Sequence, residues 1–425
     1  MIKRKIFFDD KKIVSFFLVY LLSFIPLNYY INVFLSDYLH SGLGVSALLY
    51  GLAVCFGVGS YFLCFKKSKL LGLFVILFLL FGTIFYLFLY PSNSSLVFTS
   101  FLDLAYNPFI ILFAYCVPVF LIGLSGKIDY KKVFKIIVII GRIVVIALII
   151  FFFALNIGWK NSGGQYMTTS YYALPSICAL MLSHAKKKRF VSIDGLLSLF
   201  GIFLIMVGGS RGALMCVALF ALLLIFYSSF KLKQKIWLFV AFIILLTILI
   251  VGFNDLLALF KSFMRLLVFD SRTISKIEGS SFFVSNDRIQ IWSNCIQAIL
   301  QTPLAPFLGF GLWGDRPIAN GYSHNIFVEL ITSFGFFFGT LFFLVICLKI
   351  IKGIIGSFKT TNEKSTLFLI AIPYGFFQLL FSDSFLLNVW FFLLIGLMFQ
   401  NNSLTDRAEC FYSRDRASND ILHTI

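Results

Sequence analysis

The sequence predicts an all-α polytopic membrane protein with about twelve transmembrane helices, and three observations predict it. Sixty per cent of the 425 residues are hydrophobic and only 12% are charged, at a mean hydropathy of +0.97. A soluble chain of this length cannot hide that much apolar surface. The apolar residues come in unbroken runs of roughly 17–25 rather than in alternation, which selects helices over a barrel. Finally, Lys and Arg cluster at every second gap between runs, so that 27 of the 35 fall on one side. The acids divide evenly, so the asymmetry is one of Lys and Arg, as the positive-inside rule requires.

The runs follow in order. Lys3, Arg4, Lys5, Lys11 and Lys12 precede a first run over about 13–35. It lacks a small-residue cleavage site and reads as a retained helix. A second run over about 43–65 meets Lys66, Lys67 and Lys69, and a third over about 70–90 ends at Pro91. The loop 91–107 has no Lys or Arg, and a fourth run over about 108–124 is followed by Lys127, Lys131, Lys132 and Lys135. The fifth, about 136–157, contains Arg142, which reads as a side chain snorkelling to the interface. The polar loop 158–170 leads to a short sixth run, about 171–184, holding Pro175. Runs seven and eight, about 190–207 and 213–230, are separated by Gly208-Gly209-Ser210-Arg211-Gly212, and a ninth covers about 236–253. A long insertion fills 254–323. The tenth run is about 325–348, and the last two, about 366–381 and 385–399, are joined by Ser382-Asp383-Ser384.

This gives four regions: nine helices over 1–253, a large external (periplasmic) loop over 254–323, three helices over 324–400, and a charged tail over 401–425. Both termini are expected on the cytoplasmic side. The formal charge of +17 raises nucleic acid as a partner, but no basic face with interleaved aromatics accompanies it. The eight cysteines are mostly single residues within apolar runs, and no Cys/His spacing points to a metal or other cofactor.

On this topology the external arginines stand against the charge bias. Arg211 lies in a glycine turn that opens a helix, where a guanidinium beside a helix N-terminus makes an anion site; the plainer reading is an Arg reaching for headgroups. Arg288 follows Asn286 and Asp287, an N-cap pair, and opens an amphipathic helix with Ile289, Trp292, Ile296 and Ile299 on one face. Trp292 reads as an interfacial anchor or a sugar platform. A segment over 254–269 is also amphipathic and carries Arg265; Arg265 and Arg272 could each contact phosphate or sugar, or simply be solvated. His324 and Asn325 stand at the mouth of the tenth run. A neutral imidazole there could take a proton from a hydroxyl, and a charged one could bond a diphosphate oxygen. Glu329, inside the apolar run, could orient His324, act as base itself or pair with an Arg. Asp383 is a further candidate.

Taken in order, the turn with Arg211, an R-x3-W pair (Arg288, Trp292), a G-x-G (Gly309, Gly311) and HN-x9-G (His324, Asn325, Gly335) resemble the O-antigen polymerase and ligase superfamily, the Wzy-type polymerases and WaaL-type ligases. The ligase pattern places Gly, Thr or Tyr three residues after Gly335, where this chain has Phe338. The resemblance implies a metal-independent, GT-C-like glycosyltransferase of the bacterial inner membrane. Its donor would be a glycan on undecaprenyl diphosphate, and a flippase and chain-length regulator would be its pathway partners. Arg211 and Arg288 would clamp the diphosphate, with arginines in place of a metal. His324 would bond the diphosphate or activate the acceptor, and Arg265 and Arg272 would position sugars. The favoured product is O-antigen or capsular polysaccharide; ligation to lipid A-core or a protein hydroxyl is the near alternative. A lipid-linked oligosaccharide transporter is the different-class alternative, which the lack of internal repeats disfavours.

Overall fold

The computed structural model describes residues 9–39, 42–65, 69–89, 107–150, 165–187, 191–208, 210–227, 233, 235–237, 239–240, 286–319, 321–360 and 362–400. Its main helices are α1 (Asp10–Leu39), α2 (Gly42–Cys64), α3 (Lys69–Leu89), α4 (Pro108–Ser125), α5 (Tyr130–Ile150), α6 (Gln165–Lys187) and α7 (Ile193–Gly208). They continue as α8 (Arg211–Tyr227), α9 (Asn286–Gln301), α10 (Ala305–Leu308), α11 (Asp315–Ala319), α12 (Ile326–Thr360), α13 (Glu363–Phe381) and α14 (Val389–Phe399). Seven of them (α1 to α5, α12 and α13) are long and apolar enough to cross a membrane, and shorter apolar helices lie at Ile193–Ile205, Gly212–Tyr227 and Val389–Phe399. The chain is an all-helical polytopic membrane protein. The ninth run lies almost wholly outside the described residues, as do the amphipathic segment 254–269, Arg272 and the tail.

The bundle is layered by exposure. α4 and α14 form its centre, with most of their residues buried. They meet backbone to backbone: a Cβ on Gly123 would lie 3.2 Å from Gly396 Cα, and one on Gly396 would lie 2.5 Å from the Phe120 carbonyl. Small residues permit that approach where helices pack in lipid. α2, α3 and the second part of α12 turn large side chains such as Phe62, Leu70, Phe88 and Leu348 outward, as lipid-facing helices do.

Three sequence expectations need correction. α6 starts at Gln165, not near 171, because tertiary bonds hold its polar first turns: Tyr29 Oη lies 2.9 Å from Thr169 Oγ1, and Tyr30 donates to the Thr169 carbonyl at 3.0 Å. Arg142 does not merely snorkel. Its Nε donates to Asp194 Oδ1 at 2.7 Å, while Lys187 and Ser183 hold Asp194 Oδ2, so the fully buried carboxylate has three partners. The tenth run extends to Thr360 and is broken at Gly335 (φ 77°, ψ 170°), so Ile326–Phe334 is a short buried helix and the long lipid-facing one starts after it.

Candidate active site

The site is assembled around α9 and the turn that enters α12. Arg288 and Trp292 are four residues apart and share one face of α9. Continued through Cys295 and Ile299, both fully buried, that face packs inward, whereas Ile289 and Ile296, expected on the same stripe as Trp292, are exposed. Arg288 Nη1 donates to the Phe381 carbonyl at 2.6 Å, and Trp292 Nε1 donates to the Ser323 carbonyl at 2.9 Å. The R-x3-W spacing therefore lets one helix hold two backbone points, the end of α13 and the residue before His324.

Asn325 caps α12 by accepting from Phe327 N and Val328 N, while its Nδ2 donates to the Leu380 carbonyl at 3.0 Å. Both ends of this amide are engaged within the protein. Between Ser323 and Asn325 the chain turns sharply, with His324 at φ 58°, the left-handed region that His visits more readily than most side chains. The other non-glycine residues at positive φ among those described are Trp313 and Asp383, and both stand around this turn. Strained backbone of this kind gathers at sites that must be held in one geometry.

The glycines of the motif are structural here. Phe310 N and Gly311 N donate to the Thr332 and Ser333 carbonyls, closing the C-terminal end of the short helix. A Cβ on Gly309 would sit 2.4 Å from Ser333 C and O, and one on Gly335 2.5 Å from Phe307 C and O. Gly212, after Arg211, packs against Tyr171 Oη and Phe381 Cβ. Arg211 thus opens α8 one residue from a contact with Phe381, whose carbonyl Arg288 holds; the Arg211 side chain is not among those described.

Sequence reasoning picked out Glu329 but missed the Asp315 and Arg316 pair, which completes a buried ionisable group behind His324. Asp315, Arg316 and Glu329 are 0%, 7% and 0% exposed. Asp315 Oδ2 accepts from Ser323 N at 2.9 Å, and burial pushes its carboxyl up against the opposing pull of Arg316. The Arg316 guanidinium lies 5.2 Å from the Trp313 ring and 5.7 Å from the Tyr322 ring, and the Tyr322 ring is 4.1 Å from that of His324. Glu329 accepts from Ser384 Oγ and from Phe385 N, tying α12 to the turn before α14. Asp383, on that turn, accepts from Asn388 Nδ2 at 3.1 Å and from Ser384 N at 2.9 Å, and burial raises its carboxyl.

His324 opens onto a cavity of about 590 Å³ whose wall also holds Asp383, Ser382, Gln378 and seven tyrosines. Burial, reinforced by the Arg288 and Arg316 guanidiniums, holds its pKa down at about 4. The imidazole is therefore neutral near pH 7, and its buried Nδ1 has no protein partner. A neutral histidine with a free nitrogen, beside two guanidiniums and facing a cavity within a membrane bundle, can accept a hydroxyl proton while the cations face an anion.

Comparison with known proteins identifies a family domain within the chain. Residues 196–344 match the family described as O-Antigen ligase (Wzy_C). The chain carries an O-antigen ligase family domain. A curated relative, the ComP-specific O-oligosaccharyltransferase of Acinetobacter baylyi (strain ATCC 33305 / BD413 / ADP1), is 24% identical over 245 residues, which take in 53% of this chain. The chain covers 41% of that relative's length.

Arg211, Arg265, Arg272, Arg288, Trp292, His324, Asn325 and Glu329 all lie within the O-antigen ligase family domain. The structure brings Arg288, Trp292, His324, Asn325 and Glu329 to one corner of the bundle, while Arg265 and Arg272 fall outside the described residues. Of this group only His324 lines the cavity; the others hold backbone carbonyls, backbone amides or the buried turn.

Proposed function

We propose that this protein polymerises undecaprenyl-diphosphate-linked oligosaccharide repeat units into O-antigen or capsular polysaccharide, as a metal-independent, GT-C-type glycosyltransferase. It would work at the external face of a bacterial inner membrane, with about twelve spans and both termini cytoplasmic. The observation that carries this reading is His324 on the wall of a cavity of about 590 Å³, its Nδ1 buried without a protein partner and its basicity lowered by burial and by the Arg288 and Arg316 charges. The O-antigen ligase family domain supports it, since that family implies lipid-linked glycan substrates.

In the proposed step an acceptor hydroxyl attacks the anomeric carbon of the donor's reducing-end sugar. The bond from that carbon to the diphosphate oxygen breaks, and the diphosphate leaves with the electron pair. His324 takes the hydroxyl proton and passes it on to water or to the departing diphosphate. Arg288 and Arg211 face the charge that develops on the leaving group, the kind of stabilisation that supplies much of a transfer enzyme's acceleration. Trp292, Asn325 and Glu329 hold the turn that aims His324, and Arg265 and Arg272 position sugars. Binding of an anion beside the two guanidiniums raises the basicity of His324, which makes it a better base in the complex than in the free protein.

A second reading has specific support. The matched family is described as an O-antigen ligase and the relative is named an O-oligosaccharyltransferase, which favours the ligation alternative, with lipid A-core or a protein hydroxyl as the acceptor we would expect. Phe338, the departure from the ligase pattern, is half-exposed and does not line the cavity, so it does not weigh on the acceptor.

One experiment separates the readings: a deletion strain complemented with wild type, Arg288→Ala, Arg211→Ala or His324→Ala at matched expression, with surface polysaccharide resolved on a gel. The polymerase reading expects a ladder with wild type that collapses to core plus one unit in the variants, with transfer down about 10²–10³-fold for Arg288→Ala. Loss of the single unit as well, with lipid-linked polymer accumulating, establishes the ligase. A full ladder from all three variants removes the site and returns transport to consideration.

A further inference from the structure

The cavity is built mostly by parts of the chain outside the O-antigen ligase family domain. Of its sixteen lining residues, only Tyr322 and His324 fall within residues 196–344. The remainder come from α1, α2, α4, α6, α13 and the turn before α14, and seven of the sixteen are tyrosines. Five lining side chains carry a buried polar atom with no protein partner: Asn28 Oδ1, the hydroxyls of Tyr115 and Tyr171, His324 Nδ1 and Gln378 Oε1. Asn28, Tyr115, Tyr171 and Gln378 are no more than 5% exposed. Buried polar atoms are costly unless something completes their hydrogen bonds, and here they gather around one empty volume.

The backbone is opened at the same place. α4 and α13 each contain a π-helical turn, Ile111–Cys116 and Pro373–Phe377, and these supply Ile111, Tyr115 and Tyr374 to the wall. Pro26 and Pro175 lie inside α1 and α6, one residue from Ile25 and three from Tyr172. π turns recur at functional sites, and irregular backbone within a membrane is tolerated where it lines a cavity.

The lining chemistry selects among guests. A polyprenyl chain would leave the hydroxyls and amides unpaired. A sugar ring presents apolar C–H faces to tyrosine rings and hydroxyls to the Asn28, Gln378 and tyrosine polar atoms. Among the described lining residues there is no Lys or Arg, and the carboxyl of Asp383 is part of the wall. An acidic sugar would find the Asp383 carboxyl there and, among the described lining residues, no counter-ion; the Arg288 and Arg316 guanidiniums stand off the lining, Arg288 on the Phe381 carbonyl.

We propose that this chamber is a glycosyl-binding site that accepts an uncharged sugar and rejects an acidic one, so that its tyrosine and amide wall sets which glycan is transferred. The proposal rests on the transferase reading above and adds the substrate class. Whether the guest is the donor's reducing-end sugar or the acceptor's terminal sugar, the chemistry of recognition is the same.

The test uses the full-length protein in lipid nanodiscs with lipid-linked glycan extracted from the deletion strain and analysed for sugar composition. Part of the glycan is oxidised at its primary hydroxyls to carboxylates. It is then offered in one arm as donor and in another, isotope-labelled, as acceptor. We expect untreated glycan to be transferred and oxidised glycan to fall at least about tenfold in kcat/KM in the arm whose sugar occupies the chamber. Gln378→Lys, which adds a cation to the wall, should recover much of that loss. Tyr171→Phe should raise KM about 2- to 10-fold, the worth of one hydrogen bond. Equal transfer of oxidised and untreated glycan in both arms overturns the selective chamber and leaves the transferase reading standing. So does a native glycan that proves acidic at both reacting sugars. Absence of any transfer by wild type overturns the transferase reading itself. The wild-type contrast decides without any variant, should Gln378→Lys fail to fold.

Discussion

The two sides of the cavity differ in what their side chains hold. On the side formed by α9, α11 and the entrance to α12, which reaches the cavity through Tyr322 and His324, side chains grip the backbone: Arg288 on the Phe381 carbonyl, Trp292 on the Ser323 carbonyl, Asn325 on three backbone groups and Glu329 on the turn before α14, while Asp315 Oδ1, Arg316 Nε and Nη2 and His324 Nδ1 are left without a partner. The wall of α1, α2, α4, α6 and α13 leaves Asn28, Tyr115, Tyr171 and Gln378 with unpartnered polar atoms. The first arrangement fixes one geometry in advance, as a reacting group requires. The second keeps hydrogen-bonding capacity open for a guest. Substitutions on the first wall should therefore damage folding or turnover, and those on the second should change which guest binds.

The largest difference is expected at the glycines. A Cβ on Gly335 would overlap the Phe307 carbonyl, and one on Gly309 the Ser333 carbonyl, and both residues have positive φ. The clashing atoms are backbone and cannot swing aside. Gly335→Ala or Gly309→Ala should cost about 4–5 kcal/mol or more, enough to remove most folded protein from a detergent extract. Tyr115→Phe, which deletes an unpartnered hydroxyl on the opposite wall, should leave Tm unchanged or slightly raised. Size-exclusion profiles and thermal melts of the variants check this. A monodisperse Gly335→Ala protein with wild-type Tm would show that the α10–α12 interlock yields, and the comparison would lose its rigid side.

A smaller effect is expected from Trp292→Phe, which keeps an aromatic ring at this half-buried position and removes the bond to Ser323. The lost hydrogen bond costs about 1 kcal/mol of stability. Its functional cost should be larger, about tenfold in kcat with KM little changed, because the freed carbonyl belongs to the residue before His324. Steady-state transfer kinetics beside a thermal melt separate the two. Equal losses in stability and kcat would make Trp292 a packing residue and no more.

How much of this was legible in the sequence follows from what each feature depends on. The seven long apolar helices were legible because bilayer thickness fixes their length, and Lys and Arg mark several of the gaps. Arg288 and Trp292 were legible as a pair because helical spacing is local, but their targets, Phe381 and Ser323, are remote in sequence and gave no signal. The glycines around Arg211 were read as a turn that makes an anion site; what approaches Gly212 is the protein itself, and the same holds at Gly309 and Gly335, which were read only as parts of a motif. Adjacent Asp315 and Arg316 look like an ordinary surface pair, and only tertiary burial makes them a charged core behind His324. The tyrosine wall draws single residues from Tyr29 to Tyr374, a spread that leaves no local pattern. The nearest hint was the doublet Tyr171-Tyr172 ahead of Pro175.

Arg316 gives the finest test of the comparison, because it belongs to the fixed wall yet does not line the cavity. Its guanidinium lies between the Trp313 and Tyr322 rings, and it helps Arg288 and burial hold His324 at a pKa of about 4. The unfolded chain takes up that proton near 6.5. The folded protein resists it until about 4, so this group's contribution to stability is complete above 6.5 and lost as pH falls towards 4. For activity, kcat/KM reports the free enzyme, and its acid limb should lie near pH 4. The acid limb of kcat should lie higher, since bound diphosphate offsets the guanidiniums. Arg316→Met keeps bulk and removes charge, so the kcat/KM limb should rise by about one unit while staying below 6.5, because burial, the larger cause, remains. Arg288 on α9, Tyr322 on the same turn and Asp383 across the cavity still face the imidazole in that variant. A uniform loss of rate with no movement of the limb would mean that Arg316 only packs, and that Arg288 and burial alone keep His324 neutral.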